Sequence, residues 1–314
     1  MRISVVTPIY NEVGNIQRLY SELTVVLSKI TPEYEIICVN DGSKDKSLME
    51  LISLAKKDKK LKVIDFRVNR GQTTALLAGL DHATGEIIVT IDSDLENNPA
   101  DIPLLLAKIN EGFDVVSGWR KNRWQGKWLT RKLPSIVANW LISIITGVKL
   151  HDYGCILKAY HHQVISGVSL YGEMHRFIPA YASWKGAKVT EVIVDHRPRI
   201  YGKSNYGFSR TFKVLLDLVV IKFLDRYMDK PMHFFGGFGF ISFALGILTG
   251  IAAIVLKITH IRDLVATPLP VFSALLLIVG VQLIAMGIIA EILMRTYYGS
   301  QDKKPYDIKE KINF

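Results

Sequence analysis

Two stretches of this chain carry no charge: FFGGFGFISFALGILTGIAAIVL (234–256), 23 residues, and LVATPLPVFSALLLIVGVQLIAMGIIA (264–290), 27 residues. A helix rises about 1.5 Å per residue, so each run is long enough to cross a hydrocarbon layer of about 30 Å. Soluble helices keep a polar face, and these have none. The pair is therefore expected to span a membrane. Gly236, Gly237, Gly239, Gly246 and Gly250 suit close helix packing in lipid, and Pro268 and Pro270 suit the start of the second helix. Lys222, Arg226 and Lys230 precede the pair, and Arg295, Lys303 and Lys304 follow it. The connector KITHIRD holds Lys257 and Arg262 against Asp263. The positive excess at the outer ends places both of them in the cytoplasm.

The residues before these runs alternate in character. ISVVTPIY (3–10), YEIICVND (34–41), LKVIDFRV (61–68), EIIVTIDSD (86–94) and DVVSGW (114–119) read as strands. They are β-branched runs of the kind buried on both faces of a sheet. GNIQRLYSELTVVLSKI, KDKSLMELISLAKK and GQTTALLAGLDHA read as the helices between them. The order argues for an α/β fold with a mostly parallel sheet and helices on both sides. Ligands of such sheets bind at the carboxyl ends of the strands. Polar clusters stand there in turn: TPIYNE, NDGSKD, NRG, DSD and GWR. One such cluster is ordinary turn chemistry, whereas five on one edge indicate one site.

The 39 Lys and Arg against 29 Asp and Glu give a net charge of +10. That excess points to an anionic partner such as a phosphorylated metabolite or an anionic membrane surface. There is no compact basic tract of the nucleic-acid-arm kind, so no nucleic-acid partner is expected. Cys38 and Cys155 lack metal-ligand spacing and suggest no disulfide framework, which fits a reducing compartment. The opening MRISVVTPIY is not expected to be a signal peptide, because its apolar run is short and ends at Pro8. No GxGxxG follows the first strand, and GxxxxGKS/T, HExxH and GxSxG do not occur.

The fourth strand runs into IDSDLENNPADIP (91–103), where Asp92, Asp94 and Glu96 alternate. Three like charges at a strand end repel unless something positive sits among them. Hard carboxylate oxygens suit Mg2+ or Mn2+, and Mg2+ is commonly held by one or two carboxylates plus substrate phosphates. A Ca2+ EF-hand is excluded by Asn97 and Pro103, where its loop needs Gly and Glu. An acidic turn capped by Asp101 is the plainer alternative. Asn11, Glu12 and Asp41-Gly42-Ser43 offer acceptors for a base and a ribose, or serve as turn and cap residues. Arg70 precedes a helix N-terminus, where phosphate binds.

In this order and spacing, TPIYNE, VNDGSKD, NRG, IDSDLE and SGWR resemble a family 2 glycosyltransferase of the GT-A fold. HDYGCILKAY, GEMHRFIPAYASW and DHRPRIYGKSNYG narrow the resemblance to the polyprenyl-phosphate glycosyltransferases, the group that holds dolichyl-phosphate mannose synthase and bacterial undecaprenyl-phosphate glucosyltransferases. The resemblance runs from Ile3 to Tyr206, and the two trailing spans fit one branch of the group. It implies that Pro8, Asn11, Glu12 and Asp41 lie around the nucleoside and that Asp92 and Asp94 hold a metal on the diphosphate. Ser93 and Arg70 join the donor side. Glu96 stands where relatives often have Gln, which also binds metal there. Asn40-Asp41 stands where many relatives have Asp-Asp, leaving Asp41 as the acid for the nucleoside.

The resemblance also implies acceptor-phosphate arginines at Arg120 and Arg131, with Ser135 and Asn139 beside them, and it puts Asp152 near sugar and acceptor. Asp94, Asp152, Arg120 and Arg131 are the groups expected to carry catalysis. Glu173, His175 and Arg176 are expected on sugar or phosphate. Arg199 and Lys203 lie in a Gly-flanked loop that would close over the diphosphate.

Charge bears on the acceptor. A sugar hydroxyl calls for a general base, whereas a phosphate monoester, with a second pKa near 6, is largely a dianion already and needs cations to dock it. Arg120, Lys121, Arg123, Lys127, Arg131 and Lys132 open a segment in which Trp128, Leu129, Leu133, Ile136, Val137, Trp140, Leu141 and Ile144 recur near helical period. Tryptophan with Lys and Arg on such a helix fits a membrane interface, and a core helix with a basic end is the alternative.

The expectation is a metal-dependent (Mg2+ or Mn2+) inverting enzyme of the cell inner membrane. It would move one sugar from a UDP-glucose or GDP-mannose type donor to a polyprenyl phosphate. The expected plan is a cytoplasmic GT-A domain (1–208), a juxtamembrane amphipathic helix (209–232), a two-helix anchor (233–295) and a cytoplasmic tail (296–314). The anchor glycines allow a homo-oligomer. A processive synthase would carry QxxRW, but the only Arg-Trp here, Arg123-Trp124, lacks the Gln. A non-catalytic scaffold has no need of the Asp92/Asp94 pair.

Overall fold

Seven consecutive buried residues, ISVVTPI, form β1 (Ile3–Ile9) at the centre of an 8-stranded sheet. The computed structural model describes residues 1–123, 133–166, 174–198, 231–299 and 306–314. Its contacts define two units, Met1–Val219 with Lys304–Phe314, and Val220–Lys303.

In the first unit β2 (Tyr34–Asn40) and β3 (Leu61–Phe66) extend the sheet from one side of β1, and β4 (Ile87–Thr90) pairs with its other side, all in parallel. The returning helices are α1 (Val13–Ile30), α2 (Ser47–Lys57) and α3 (Gln72–His82). Their apolar faces cover the sheet, as Ile16, Leu19, Leu23 and Leu27 do along one stripe of α1. Four of the five expected strands thus take the expected parallel order.

The fifth does not follow on. After α4 (Ile102–Asn110), β5 (Val115–Trp119) leaves a gap that a later strand fills. That strand, β6 (Lys158–His161), is antiparallel to both β4 and β5, and β7 (Val189–Ile193) lies parallel outside β5. α5 (Leu133–Thr146), α6 (His162–Ile165) and α7 (Ile178–Trp184) connect these pieces. A mostly parallel sheet with one reversed strand inside it results.

Strand order reverses between β1 and β4, and such a switch point opens a crevice at the carboxyl edge. Pro8 marks it. Pairing with β4 stops at Val6↔Thr90, with Ile91 N–H donating to Val6 O, so the N–H that Pro8 lacks falls where no ladder bond is needed.

The C-terminal stretch was expected to be a tail. Instead it supplies β8 (Ile308–Ile312), antiparallel on β3 at the sheet edge. Tyr306 stacks on Phe66 at 5.7 Å and donates to Asp81 at 2.6 Å. Asn313 donates its amide to the carbonyls of Ala55 (2.7 Å), Leu61 (2.8 Å) and Asp58 (3.3 Å). These three contacts join residues 252 to 258 positions apart, a separation that no local pattern announces.

The same edge explains Asn40. Its Nδ2 donates to Asp65 Oδ1 at 2.7 Å with both residues buried, while Lys309 of β8 reaches the other oxygen at 3.4 Å. An acid at position 40 would set two buried carboxylates against each other. Asn40→Asp is expected to cost about 2 kcal/mol, the loss of a buried hydrogen bond to a charged group. Thermal unfolding of the full chain in detergent measures it, and an unchanged midpoint would refute this pairing.

In the second unit α8 (Pro231–Ile258) and α9 (Leu269–Gly299) carry the two apolar runs and pack on each other. Both are long and apolar enough to cross a membrane, and only 17% of either apolar window is buried in protein. The backbones meet at Gly239 and Gly280, where a Cβ on either would lie 2.9 Å from the carbonyl oxygen of the other. Ser242 Oγ donates to Leu276 O at 2.8 Å and Ser273 Oγ to Gly246 O at 2.7 Å along the same seam. A Cβ added at Gly237 would meet nothing within 4 Å, so that glycine is not part of the seam. Of the expected juxtamembrane helix (209–232), all but the last two positions lie outside the described residues.

Candidate functional site

One turn of chain ties several strand ends together. Asp41, at the end of β2, accepts the Arg70 N–H on Oδ1 at 2.6 Å and the Gly71 N–H on Oδ2 at 2.8 Å. Gly71 has φ +90, a conformation a glycine takes without strain. Gln72, the first residue of α3, donates Nε2–H to Asp92 Oδ1 at 2.6 Å. Thr73 Oγ1 lies 2.6 Å from Nδ1 of buried His175. Burial raises the pKa of Asp41, partly offset by the two backbone N–H groups.

The DSD turn stands at the switch point. Asp92 is half-buried, and Ser93 and Asp94 are buried. The chain turns at Leu95, whose φ of 61 is a left-handed conformation that a side chain disfavours and that active sites often hold. Asp94 Oδ1 accepts the Glu96 N–H at 3.1 Å. Burial pushes the Asp92 carboxyl well above its ordinary value, and the charge of Asp94 pushes further. Arg120 opposes them, with a smaller push from Glu96 and a smaller pull from Arg123.

Two carboxylates that repel each other in a half-buried crevice are suited to a divalent cation. Among the described residues no three His, Cys, Asp or Glu side chains form a ready ligand set, so Asp92, Asp94 and Glu96 do not make a closed cage. The donor set fits an ion held by one or two carboxylates and completed by phosphate oxygens.

On the β5 side Arg120 is buried and grips Asp152 with both prongs, Nε to Oδ2 at 2.8 Å and Nη2 to Oδ1 at 3.1 Å. Burial opposes ionisation of Asp152, but Arg120, then Arg123 and Lys158, outweigh it and hold the carboxyl at about 2. Lys158, at the start of β6, is 1% exposed and donates Nζ to the carbonyls of Cys155 and Tyr153. Its burial lowers the pKa to about 8.

The remaining expected residues brace loops. Asn11 (φ 55) accepts the Lys44 N–H on Oδ1 at 2.8 Å, and its own N–H donates to Ser43 Oγ at 3.0 Å. Glu12 N–H donates to Ser47 Oγ at 2.9 Å, and Glu12 Oε2 accepts from Asn15 at 2.5 Å. The Arg70 side chain is exposed beside Asp41, and Arg176 adjoins His175 half-buried. On α5, Ser135 is half-buried, and Asn139 Nδ2 donates to His151 O at 2.7 Å, linking α5 to the loop that carries Asp152. Ile136, Val137, Trp140 and Ile144 of α5 are 50–62% exposed, so this face is not core. Met174–Phe177 form a 3-10 turn that carries His175 and Arg176. Arg131, Glu173, Arg199 and Lys203 lie outside the described residues.

Gln72, Thr73 and Lys158 were not anticipated. Gln72 and Thr73 directly follow NRG, so position alone could have flagged them. A lysine opening a strand ordinarily reaches solvent, and nothing local marks Lys158 as buried.

Residues 4–167 match the family described as Glycosyl transferase family 2, and residues 221–298 match a Domain of unknown function (DUF8752). The chain is 40% identical over 314 residues to the dodecaprenyl-phosphate galacturonate synthase of Rhizobium johnstonii, covering 99% of this chain and 93% of that protein. It is 35% identical over 315 residues to the undecaprenyl-phosphate 4-deoxy-4-formamido-L-arabinose transferase of Enterobacter sp. (strain 638), covering 99% and 94%. Among solved structures, glucosyl-3-phosphoglycerate synthase from Mycobacterium tuberculosis, in complex with Mn2+, uridine-diphosphate and glucosyl-3-phosphoglycerate, aligns at TM-score 0.55 over 72% of this chain and 79% of that one. At 18% identity that likeness shows a shared GT-A-like α/β fold. Since the family match spans more than half of the chain and takes in the switch-point acids, the chain belongs to glycosyl transferase family 2.

Proposed function

We propose that this protein transfers one sugar, with inversion, from a nucleotide diphosphate sugar to the phosphate of a polyprenyl phosphate at the cytoplasmic face of the cell membrane. The observation that carries this reading is the likeness over 99% of the chain to two relatives whose names both specify a polyprenyl phosphate.

The geometry supports the donor side. Asp41 spends one contact per oxygen on the Arg70–Gly71 backbone and retains lone pairs for a ribose hydroxyl or base N–H. Asp92 and Asp94 would hold Mg2+ or Mn2+, and the mycobacterial neighbour was solved with Mn2+ and uridine-diphosphate. Bound there, the cation supplies charge for the departing diphosphate. Pro8, Asn11, Glu12, Arg70 and Ser93 shape the same edge, and Glu173, Arg199 and Lys203 are assigned to the donor by motif.

On the acceptor side Arg120, Arg123 and Lys158 gather around the carboxylate of Asp152, and cations so placed suit a phosphate dianion that needs docking and no base. Arg131, Ser135, Asn139, His175 and Arg176 are assigned to this side. The exposed apolar face of α5 and the two apolar helices suit a reaction at a bilayer, where the lipid is confined. β8 belongs to the same unit as the site, so a chain that crosses twice returns to the side it left. The basic flanks make that side cytoplasmic.

The test is incubation of the full chain in nanodiscs with undecaprenyl phosphate and radiolabelled UDP-glucose, GDP-mannose, UDP-galacturonate or UDP-4-formamido-arabinose. One donor is expected to label an organic-phase lipid, and EDTA is expected to stop it. Label reaching a glycan but no lipid, with every donor, would end this reading.

A further inference from the structure

Asp92 stands one residue beyond the last ladder bond of its strand, where Ile91 N–H donates to Val6 O. The sheet therefore fixes its Cα but not its side-chain torsions. The group that holds the carboxylate is Gln72, with Nε2 at 2.6 Å from Oδ1. Gln72 is itself held from both sides. Arg70 and Gly71 N–H groups are pinned on Asp41, and Thr73 meets His175. The orientation of Asp92 is thus inherited from the end of β2 and from the 3-10 turn at Met174–Phe177, through four consecutive residues. A neutral amide is apt here. Lysine or arginine would hold Asp92 equally well but would satisfy its charge and compete with a cation, whereas glutamine orients it and leaves the charge in place.

We infer that Gln72 is a positioning residue that sets the side-chain orientation of Asp92, so that a divalent cation carried by the donor diphosphate meets a pre-oriented carboxylate. This rests on the donor-side reading above. Partners that orient a metal-binding side chain typically change metal affinity or activity by about 10–100-fold when removed.

The test uses the full chain in nanodiscs as wild type, Gln72→Leu and Gln72→Met, the second guarding against poor folding of the first. Free Mn2+ is followed by electron paramagnetic resonance with UDP and, separately, GDP present. Initial rates are measured over lipid and metal concentrations. Both variants are expected to weaken Mn2+ binding about 10–100-fold. They should lower the rate at limiting Mn2+, recover in part at high Mn2+, and keep the lipid KM and thermal midpoint of wild type. A purely structural role would move the midpoint and leave Mn2+ affinity unchanged in whichever variant folds, and that result overturns the inference. Wild type that transfers sugar to lipid with no bound Mn2+ or Mg2+ also overturns it while the acceptor reading stands. Mn2+ binding with nucleotide that weakens in both variants, in a protein that labels no lipid, upholds it while the acceptor reading fails.

Discussion

Asp94→Asn is expected to lower sugar transfer by at least about 10³-fold while the protein stays folded. The loss follows from the several kcal/mol that a cation contributes to charge developing on a leaving diphosphate, at about 1.4 kcal/mol per factor of ten. The fold is expected to survive because asparagine keeps the Oδ1 that accepts the Glu96 N–H at 3.1 Å. It also removes a repulsion. Burial and then the Asp94 charge raise the Asp92 carboxyl. A carboxyl whose folded pKa lies above its unfolded one binds more protons when folded, so stability falls as pH rises from the unfolded value through the folded one. Removing the Asp94 charge weakens that fall, so without metal the variant should melt no lower than wild type at neutral pH. Kinetics with saturating donor and lipid, and melting in EDTA across pH 5 to 8, check both halves. Full turnover would show that Asp94 serves no cation, and a collapsed melting point would make the cluster structural.

Asp152→Asn is expected to damage both stability and rate. Asp152 and Arg120 form a buried two-pronged pair, and removing one partner strands a buried charge at a cost of about 3–5 kcal/mol. The sign with pH is opposite to that of Asp92. Burial resists ionisation, but Arg120, Arg123 and Lys158 hold the Asp152 carboxyl at about 2, below its ordinary 3.8. That stabilisation is complete above pH 3.8 and disappears as pH falls through about 2. Wild type and variant should therefore differ fully at pH 7 and converge in strong acid. Displacing Arg120 by an ångström is enough to cost about 10²-fold in rate. The double variant Arg120→Met/Asp152→Leu separates the two roles. An apolar pair of similar volume restores most of the lost stability, while activity should stay low. If activity returned with stability, the pair would be a packing device and the acceptor-side role of Arg120 would be wrong.

Much of this site is legible in the amino-acid order. The clusters after the first four strands are local features, and the sheet brings them to one edge because parallel strands all end there. Asp41, Asp92 and Asp94 lie where their motifs place them. What connects them is not legible in that way. Gln72 reads as an ordinary start of a helix until α3 delivers it to Asp92, 20 residues away in sequence. Lys158 reads as a surface lysine until β6 turns it beneath the Asp152 loop. The α5 segment left interface and core both open, since periodicity reveals an apolar face but not its neighbours, and the exposure of Trp140 decides against core.

The division has a physical basis. Strand and helix identity, the two long apolar spans and the acids at strand ends depend on short-range patterning of polarity and on backbone sterics, so the sequence by itself determined them. The insertion of β6 between β4 and β5, the return of residues 308–312 as β8, and the pairing of Asn40 with Asp65 and Arg120 with Asp152 depend on contacts between residues 25 to about 250 positions apart. Which distant partners meet is set by competition among whole-chain packings for buried area and paired charge, and only the tertiary structure decided it.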